Sequence, residues 1–227
     1  MGPYDAVLFD FDFTLADASA GILASISYAL AKMGLPPARE QDMLHTIGLS
    51  LKETYFSLSG TREDEQAQRF SKLFVEKSDE VMVQHTALYE DALPCLQLLK
   101  QLGYQLGIVT TKYHRRIDAV FSRAHALEWF DVIFGGDDVQ EPKPSPEGIC
   151  SALNALKCSP SQALYVGDST VDAQTAQAAG IDFAGVLTGT TPKIELEQYP
   201  HIGVYQSLSS LCIGTGLVKD CEVNWNV

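Results

Sequence analysis

Short apolar runs alternate with helical patterns along the chain, and this alternation constrains the fold more than any other feature of the sequence. Continuous apolar runs of this length suit strands that are buried on both faces. Strands that alternate with helices form parallel βαβ units, so we predict a doubly wound, Rossmann-like α/β sheet. The predicted strands are residues 6–9, 105–110, 163–166 and 182–186, with a shorter run at 132–134.

A long stretch after the first run contains no convincing strand and is typical of an inserted helical cap. Apolar spacing over residues 22–33 predicts one helix, and Thr61–Asp64 resembles a capping box that would open another. A cap inserted at this point would cover the active end of the sheet and exclude water. We therefore predict a helical cap domain at 17–85 and an α/β core domain at 1–16 and 86–227.

Acidic residues follow two of the predicted strands at the point where each strand ends. Asp10 and Asp12 close the first run, and Asp168 and Asp172 come after another. In open parallel sheets, ligands bind beyond the carboxyl ends of the strands. Positions 10 and 12 share one side of a strand, and adjacent carboxylates need a cation or a shared proton. Such an oxygen-rich site suits Mg²⁺, although Asp168 alone could also be a helix N-cap.

Two further polar residues occupy positions where they could join these carboxylates. Lys143 lies between Pro142 and Pro144, which stiffen the backbone around it. Thr110 ends its predicted strand and could donate to a phosphate oxygen. A solvated loop lysine and an ordinary strand-end threonine are the alternatives.

Composition limits the partners and the compartment. The net charge of −13 argues against nucleic acid or an anionic membrane as partner. Scattered cysteines without close pairs disfavour a disulfide framework or a zinc site. No apolar run could span a membrane, and no basic segment precedes an apolar one at the N-terminus. We expect a cytoplasmic protein that acts on a small phosphorylated metabolite, as a monomer or weak homodimer.

Four ordered segments resemble the sequence motifs of the haloacid dehalogenase-like (HAD) phosphatase superfamily. They are DFDFTLAD at 10–17, VTTK at 109–112, KPSPE at 143–147 and VGDSTVD at 166–172. Within the superfamily, the chain most resembles the phosphoglycolate phosphatase-like branch, which the inserted cap, YEDALP at 89–94 and GGDD at 135–138 also fit. The resemblance implies a magnesium-dependent phosphoric monoester hydrolase.

The resemblance also implies roles for the acidic residues. Asp10 would attack phosphorus and become an aspartyl-phosphate. Asp12 would protonate the departing group and then deprotonate the attacking water. The Mg²⁺ ion would be bound by the Asp10 carboxylate, the backbone carbonyl of Asp12 and Asp168, with Asp172 behind these ligands.

The same resemblance places the substrate's phosphate. Thr110 and the backbone N–H groups around Phe11 and Thr111 would hold the phosphoryl oxygens, and Lys143 would offset charge on the nucleophile and the phosphate. Lys52 could reach a second anionic group of the substrate, although a solvated surface lysine is the alternative. Arg115 and Arg116, just after the VTTK segment, are expected on an exposed helix start.

The substrate and the exact reaction stay open at this stage. Phosphoglycolate or a similar monoester is the expected substrate, and the alternatives are a β-phosphoglucomutase-like sugar phosphomutase, a pyrophosphatase and a non-catalytic phospho-accepting protein. At Thr14, four residues after the nucleophile, the resemblance to phosphatases is closer than to mutases, and Thr14 is expected to bind substrate. The family often has Gly where Phe13 stands, so the bulk of Phe13 bears on the size of the pocket.

Overall fold

The structure, a computed structural model, describes residues 4–219 and confirms the predicted parallel α/β sheet. Residues 1–3 and 220–227 lie outside the described residues. They include Cys221 and the two ends of the predicted core domain. The strands are β1 Ala6–Phe9, β2 Ala16–Asp17, β3 Ala87–Leu88, β4 Gln105–Val109, β5 Val132–Phe134, β6 Ala163–Gly167, β7 Asp182–Val186 and β8 Gly203–Tyr205.

Six of these strands form one sheet in the order β5-β4-β1-β6-β7-β8, and each neighbouring pair is parallel. β2 and β3 form a separate two-stranded sheet. After β1 the chain adds strands on one side through β4 and β5, and then on the other side through β6, β7 and β8. The reversal of direction falls between β1 and β6, which is where open sheets of this type form a ligand crevice.

The helices are α1 Ser19–Lys32, α2 Glu40–Leu44, α3 Leu51–Ser59, α4 Asp64–Val81, α5 Ala92–Gln101, α6 His114–Arg123, α7 Glu147–Leu156, α8 Thr170–Ala179, α9 Lys193–Leu196 and α10 Leu208–Gly214. Across residues 4–219, none of the helices combines the length and the apolar character that a membrane span requires. By their contacts, the residues fall into a smaller compact unit, Asp17–Ala87, and a larger unit made of the described residues on either side of it.

The core of the larger unit lies around the central strands. β1 is buried at every position, and alternate residues of β6 such as Ala163 and Tyr165 join the same apolar cluster. α7 contributes Ile149, Leu153 and Leu156, whose spacing places them on one helical face. This packing holds the carboxyl ends of β1, β4 and β6 in fixed register.

The smaller unit is helical and has a core of its own. Ile26 and Leu30 of α1 are buried in one cluster with Phe70 and Phe74 of α4. Apolar residues recurring at three- and four-residue steps give both helices the buried stripe that this pairing requires.

The predicted capping box at Thr61–Asp64 is wrong. α4 begins at Asp64 and its N-cap residue is Glu63, which makes no side-chain capping hydrogen bond. Thr61 lies before the N-cap position, and its hydroxyl instead lies 3.3 Å from the Tyr55 hydroxyl. A motif of the right composition therefore stands two residues too early to cap this helix.

Candidate active site

The carboxyl ends of three adjacent strands carry the predicted site residues of the larger unit. Asp10 follows β1, Thr110 follows β4 and Asp168 follows β6. The Asp10 backbone N–H donates to the Val166 carbonyl at 2.9 Å, which extends the pairing of β1 with β6 to the first of these residues. Because the strands are parallel and adjacent, residues that lie far apart in sequence meet at one edge of the sheet.

A buried ammonium group lies at the centre of this edge. Lys143 Nζ donates to Asp10 Oδ1 at 2.7 Å and to Asp172 Oδ1 at 2.6 Å. The side chains of Lys143 and Asp10 are each 3% exposed. The alternative of a solvated loop lysine is therefore wrong, and Lys143 is a cation fixed between two carboxylates.

Tyr165 completes the surroundings of this lysine, although no role for it was predicted from the sequence. Its hydroxyl donates to the Val109 carbonyl at 2.7 Å and accepts from Lys143 Nζ at 3.1 Å. Burial raises the pKa of Tyr165 well above its usual range, so the hydroxyl stays a neutral donor. The sequence signal for this role was the polar hydroxyl of Tyr165 in the middle of the otherwise apolar strand β6.

Asp172 has both carboxylate oxygens engaged by the protein. While Oδ1 accepts from Lys143, Oδ2 accepts from the Ser169 N–H at 3.0 Å and the Ser169 hydroxyl at 2.6 Å. The Ser169 hydroxyl in turn accepts from the Asp172 N–H, which forms a reciprocal capping box at the start of α8. Ser169, not Asp168, is thus the helix N-cap, and the alternative for Asp168 is wrong.

Asp168 is consequently left facing the cluster. Thr14 Oγ1 donates weakly to its Oδ1 at 3.4 Å, and the side chain is buried. Burial raises the pKa of Asp168 well above its usual range, and repulsion from Asp172 and Asp10 adds to this shift. Thr14 therefore contacts a carboxylate of the cluster, and its contact with substrate stays a prediction.

The acidic cluster suits a divalent cation. Asp10, Asp168 and Asp172 each offer an oxygen, and these oxygens lie within 4.8 Å of one another. Since Asp172 is saturated by hydrogen bonds, Asp10 and Asp168 are the residues with carboxylate oxygens to spare. Oxygen ligands of this kind, few in number and leaving room for water and phosphate, fit Mg²⁺.

The charge balance of the cluster points the same way. Burial raises the pKa of Asp10 to about 6, Lys143 opposes this shift, and Asp172 reinforces it. Burial alone would lower the pKa of Lys143, but Asp10 and Asp172 raise it well above its usual value, so the ammonium stays charged. Three buried carboxylates share one ammonium group, and a divalent cation would supply the missing positive charge.

Asp12 has a separate partner, Lys112, for which no role was predicted from the sequence. Lys112 Nζ lies 2.8 Å from Asp12 Oδ1 and 3.2 Å from Oδ2. The Lys112 side chain is 2% exposed, and its ammonium lies 5.0 Å from the centre of the Phe11 ring. The VTTK motif contained this lysine, but its partner stands 100 residues earlier in the chain.

The backbone of the loop after β4 is also anchored. The Lys112 N–H donates to Thr110 Oγ1 at 3.3 Å, and the Gly136 N–H donates to the Lys112 carbonyl at 2.9 Å. A side chain at Gly136 would overlap the Thr111 carbonyl, so the close approach of these two loops requires glycine. The GGDD segment therefore supports the loop that carries Thr110, Thr111 and Lys112.

Comparison with known proteins identifies the family of this chain. The family model described as haloacid dehalogenase-like hydrolase matches residues 7–186, which contain all four motifs. The chain belongs to this family. The resemblance predicted from the sequence is confirmed.

Relatives of the whole chain are found among both curated sequences and solved structures. A pyrophosphatase PpaX from Bacillus velezensis is 34% identical over 93% of this chain and 96% of its own length. A haloacid dehalogenase-like hydrolase from Bacteroides fragilis is 40% identical, with a TM-score of 0.89 over 92% of this chain and 99% of that chain. A Lactobacillus plantarum structure named as a phosphoglycolate phosphatase is 25% identical, with a TM-score of 0.80 over 95% and 99% of the two chains.

Phe13 shows how this hydrolase tolerates its departure from the family pattern. Its φ of 63° lies in the left-handed region, which carries a steric cost for every residue type except glycine. The Phe13 N–H donates to the Ala16 carbonyl at 2.7 Å, and the Thr188 hydroxyl donates to the Phe13 carbonyl. These bonds and the burial of the ring hold a conformation that glycine would adopt without them.

Two basic residues complete the comparison with the sequence predictions. Arg116, expected on an exposed helix start, is 5% exposed, so that expectation is wrong. Its guanidinium carbon lies 5.1 Å from the centre of the Tyr113 ring. Lys52 lies in the smaller unit, where its ammonium is 2.9 Å from Asp64 Oδ1; its contact with substrate stays a prediction.

Proposed function

We propose that this hydrolase is a magnesium-dependent phosphatase that works through an aspartyl-phosphate on Asp10. The observation that carries the proposal is the buried cluster in which Lys143 bridges Asp10 and Asp172 beside Asp168. Such a cluster has little use as a stabilising core, because buried carboxylates in excess of their cations cost folding free energy. Its position at the sheet's crevice and its oxygen donors suit phosphoryl transfer.

In this proposal, Asp10 attacks phosphorus and Lys143 holds the nucleophile in place through Oδ1. Thr110 and the backbone N–H groups of Phe11 and Thr111 would hold the phosphoryl oxygens. Mg²⁺ bound by the Asp10 and Asp168 carboxylates and the Asp12 backbone carbonyl would offset the phosphate's charge. In the second half of the reaction, Asp12 takes a proton from the water that hydrolyses the aspartyl-phosphate.

The substrate class is proposed from the relatives. Phosphoglycolate or a similar small monoester agrees with the name of the Lactobacillus plantarum structure. Inorganic pyrophosphate is the second candidate, because curated relatives with 34% and 31% identity over more than nine-tenths of the chain are named pyrophosphatase.

A phosphate-release screen tests the proposal directly. Pyrophosphate, phosphoglycolate, sugar phosphates and nucleotides would be offered to the protein with Mg²⁺, with Asp10→Asn as the control. Asp10→Asn is expected to abolish turnover of every substrate, and retained activity would remove Asp10 as the nucleophile. Chelation by EDTA should also stop turnover, whereas full activity in EDTA would contradict the magnesium requirement. Isomerisation of a hexose 1-phosphate without phosphate release would favour the phosphomutase alternative.

A further inference from the structure

We propose that Lys112 determines substrate specificity by favouring substrates whose departing group is itself an anion, of which inorganic pyrophosphate is the simplest. This inference rests on the proposed aspartyl-phosphate mechanism. It identifies the Lys112 ammonium as the positive charge that stabilises the departing group. It concerns the residue beside Asp12 and not the metal cluster around Asp10.

Lys112 is fixed beside the residue that would face the departing group. Its ammonium reaches both Asp12 oxygens, at 2.8 and 3.2 Å, from a side chain that is almost wholly buried. The backbone of Lys112 is independently anchored through the Thr110 hydroxyl and the Gly136 N–H. A long side chain with both ends held in this way presents its charge with little freedom left to lose on binding.

Lys112 is also distinct from the other buried lysine. Within residues 4–219, the buried lysines are Lys112 and Lys143. Lys143 is committed to Asp10 and Asp172, which lie on the side of the nucleophile. Lys112 therefore supplies positive charge near Asp12 that the nucleophile's own cluster does not use.

A monoester with a neutral alcohol needs a proton for its departing group, not a cation. When Asp10 forms its bond to phosphorus, the ester P–O bond breaks and its electron pair stays on the alcohol oxygen. That oxygen must take a proton from Asp12 to leave as a neutral alcohol. The departing alcohol is then neutral and has no charge for the Lys112 ammonium to stabilise.

Pyrophosphate makes no such demand. The trianion of pyrophosphate carries one proton, which can reside on the departing phosphate. As Asp10 bonds to one phosphorus, the bridging oxygen keeps the electron pair of the broken P–O bond and leaves as the hydrogenphosphate dianion, with no proton transferred. Water then attacks the aspartyl-phosphate, the Asp10–phosphorus bond breaks, and dihydrogenphosphate and the Asp10 carboxylate are released. What the first step requires is a cation near the departing dianion, and Lys112 is that cation.

The test compares two substrates in the Mg²⁺-loaded enzyme. Pyrophosphate has an anionic departing group, and phenyl phosphate has one with no ionised group of its own. Lys112→Met keeps the length and burial of the side chain but removes the charge. We expect kcat/KM for pyrophosphate to fall on the order of 100-fold, and kcat/KM for phenyl phosphate to fall less than about tenfold.

Lys100→Met is the matched control. Lys100 also pairs with an aspartate, Asp131 at 2.6 Å, but these residues precede β4 and β5 and so lie at the opposite end of the strands. This variant should leave both kcat/KM values unchanged. Lys112→Gln, which retains a hydrogen-bond donor, replaces Lys112→Met if the latter does not fold, and the same selective loss is expected.

The outcomes separate this inference from the proposed function. Equal losses for both substrates would show that Lys112 only positions Asp12, and would overturn the specificity role. A wild-type enzyme that prefers phenyl phosphate to pyrophosphate would overturn it as well. Turnover that survives Asp10→Asn would instead reject the proposed mechanism, whatever Lys112 does.

Discussion

At the scale of single residues, the site depends on one ammonium group that pairs with two buried carboxylates. Lys143 is surrounded by Asp10, Asp172 and the Tyr165 hydroxyl, all buried. Removing one partner from a buried ion pair leaves an uncompensated charge, which costs more than the pair itself contributes. Lys143 is therefore as important to folding as to the proposed chemistry.

Lys143→Met is expected to destabilise the protein by about 3–5 kcal/mol, because it leaves buried carboxylates without their cation. Urea unfolding followed by circular dichroism measures the change. Lys100→Met, whose ion pair is one-third exposed, should cost about 1 kcal/mol or less. Similar costs for the two variants would contradict the structural role of Lys143.

Asp10→Asn is expected to act in the opposite direction when no divalent metal is present. Burial raises the pKa of Asp10 from 3.8 to about 6, so ionising this carboxyl costs folding free energy. That cost is absent below the unfolded pKa and complete above the folded pKa. The variant's advantage should therefore grow from about pH 4 to about pH 6 and reach on the order of 1–3 kcal/mol above it.

Thermal unfolding of both proteins across this pH range, in EDTA, measures the difference. Excess Mg²⁺ should reduce or reverse the advantage, since the wild type gains stability from the metal it binds. A variant that is less stable than wild type near neutral pH in EDTA would show that the Asp10 charge is already balanced.

At the scale of elements, the sequence predicted the sheet well and the contacts of its loops poorly. The apolar runs at β1, β4, β6 and β7 identified the central strands because strands buried on both faces need uninterrupted apolar residues. β8 was missed because Gly203–Tyr205 is short and only half-buried, which leaves no such pattern.

The loop contacts depend on partners that are distant in sequence. Asp10 and Asp168 could be proposed because each ends a recognisable strand. Tyr165 and Lys112 could not be assigned, since their roles arise only when β1, β4 and β6 pair and bring Val109, Asp172 and Asp12 beside them. A lysine or tyrosine alone has too many ordinary positions for the sequence to distinguish.

The loop after β7 contributes a further element-scale prediction. A Cβ atom added at Gly189 would overlap the Asp168 carboxylate. Gly189→Ala should therefore displace Asp168 and weaken apparent Mg²⁺ affinity on the order of 10- to 100-fold, as expected when the support of a metal ligand is lost. Calorimetric titration with Mg²⁺ measures this directly.

Gly180→Ala is the control for that substitution. Gly180 ends α8 with a φ of 70°, and an added Cβ would meet nothing there. The control should lose about 1 kcal/mol of stability from backbone strain and keep its Mg²⁺ affinity. Unchanged Mg²⁺ affinity in Gly189→Ala would mean that Asp168 does not hold the metal.

At the scale of the whole molecule, the net charge of −13 opposes the approach of an anionic substrate. Salt shortens the Debye length from about 30 Å at 0.01 M to about 8 Å at 0.15 M and so screens this repulsion. The cluster at the sheet's edge acts at shorter range than the charge of the whole surface. The two effects can therefore be separated by ionic strength.

We expect kcat/KM for an anionic phosphate substrate to rise about two- to fivefold over that range of salt, at constant free Mg²⁺. The constant kcat at saturating substrate is the internal control, because bound substrate no longer has to approach. A fall in kcat/KM with added salt would mean that the local positive field of the site outweighs the protein's overall charge.

The double engagement of Asp172 has a consequence for cooperativity. One of its oxygens accepts from Ser169 at the start of α8, and the other accepts from the Lys143 ammonium. Fraying of the first turn of α8 would therefore also break the ion pair with Lys143. Local opening of this turn thus requires the free energy to break both the helix cap and the ion pair. Amide hydrogens at the start of a helix usually exchange rapidly with solvent, but the Ser169 amide, bonded to Asp172, should exchange as slowly as those of the central strands.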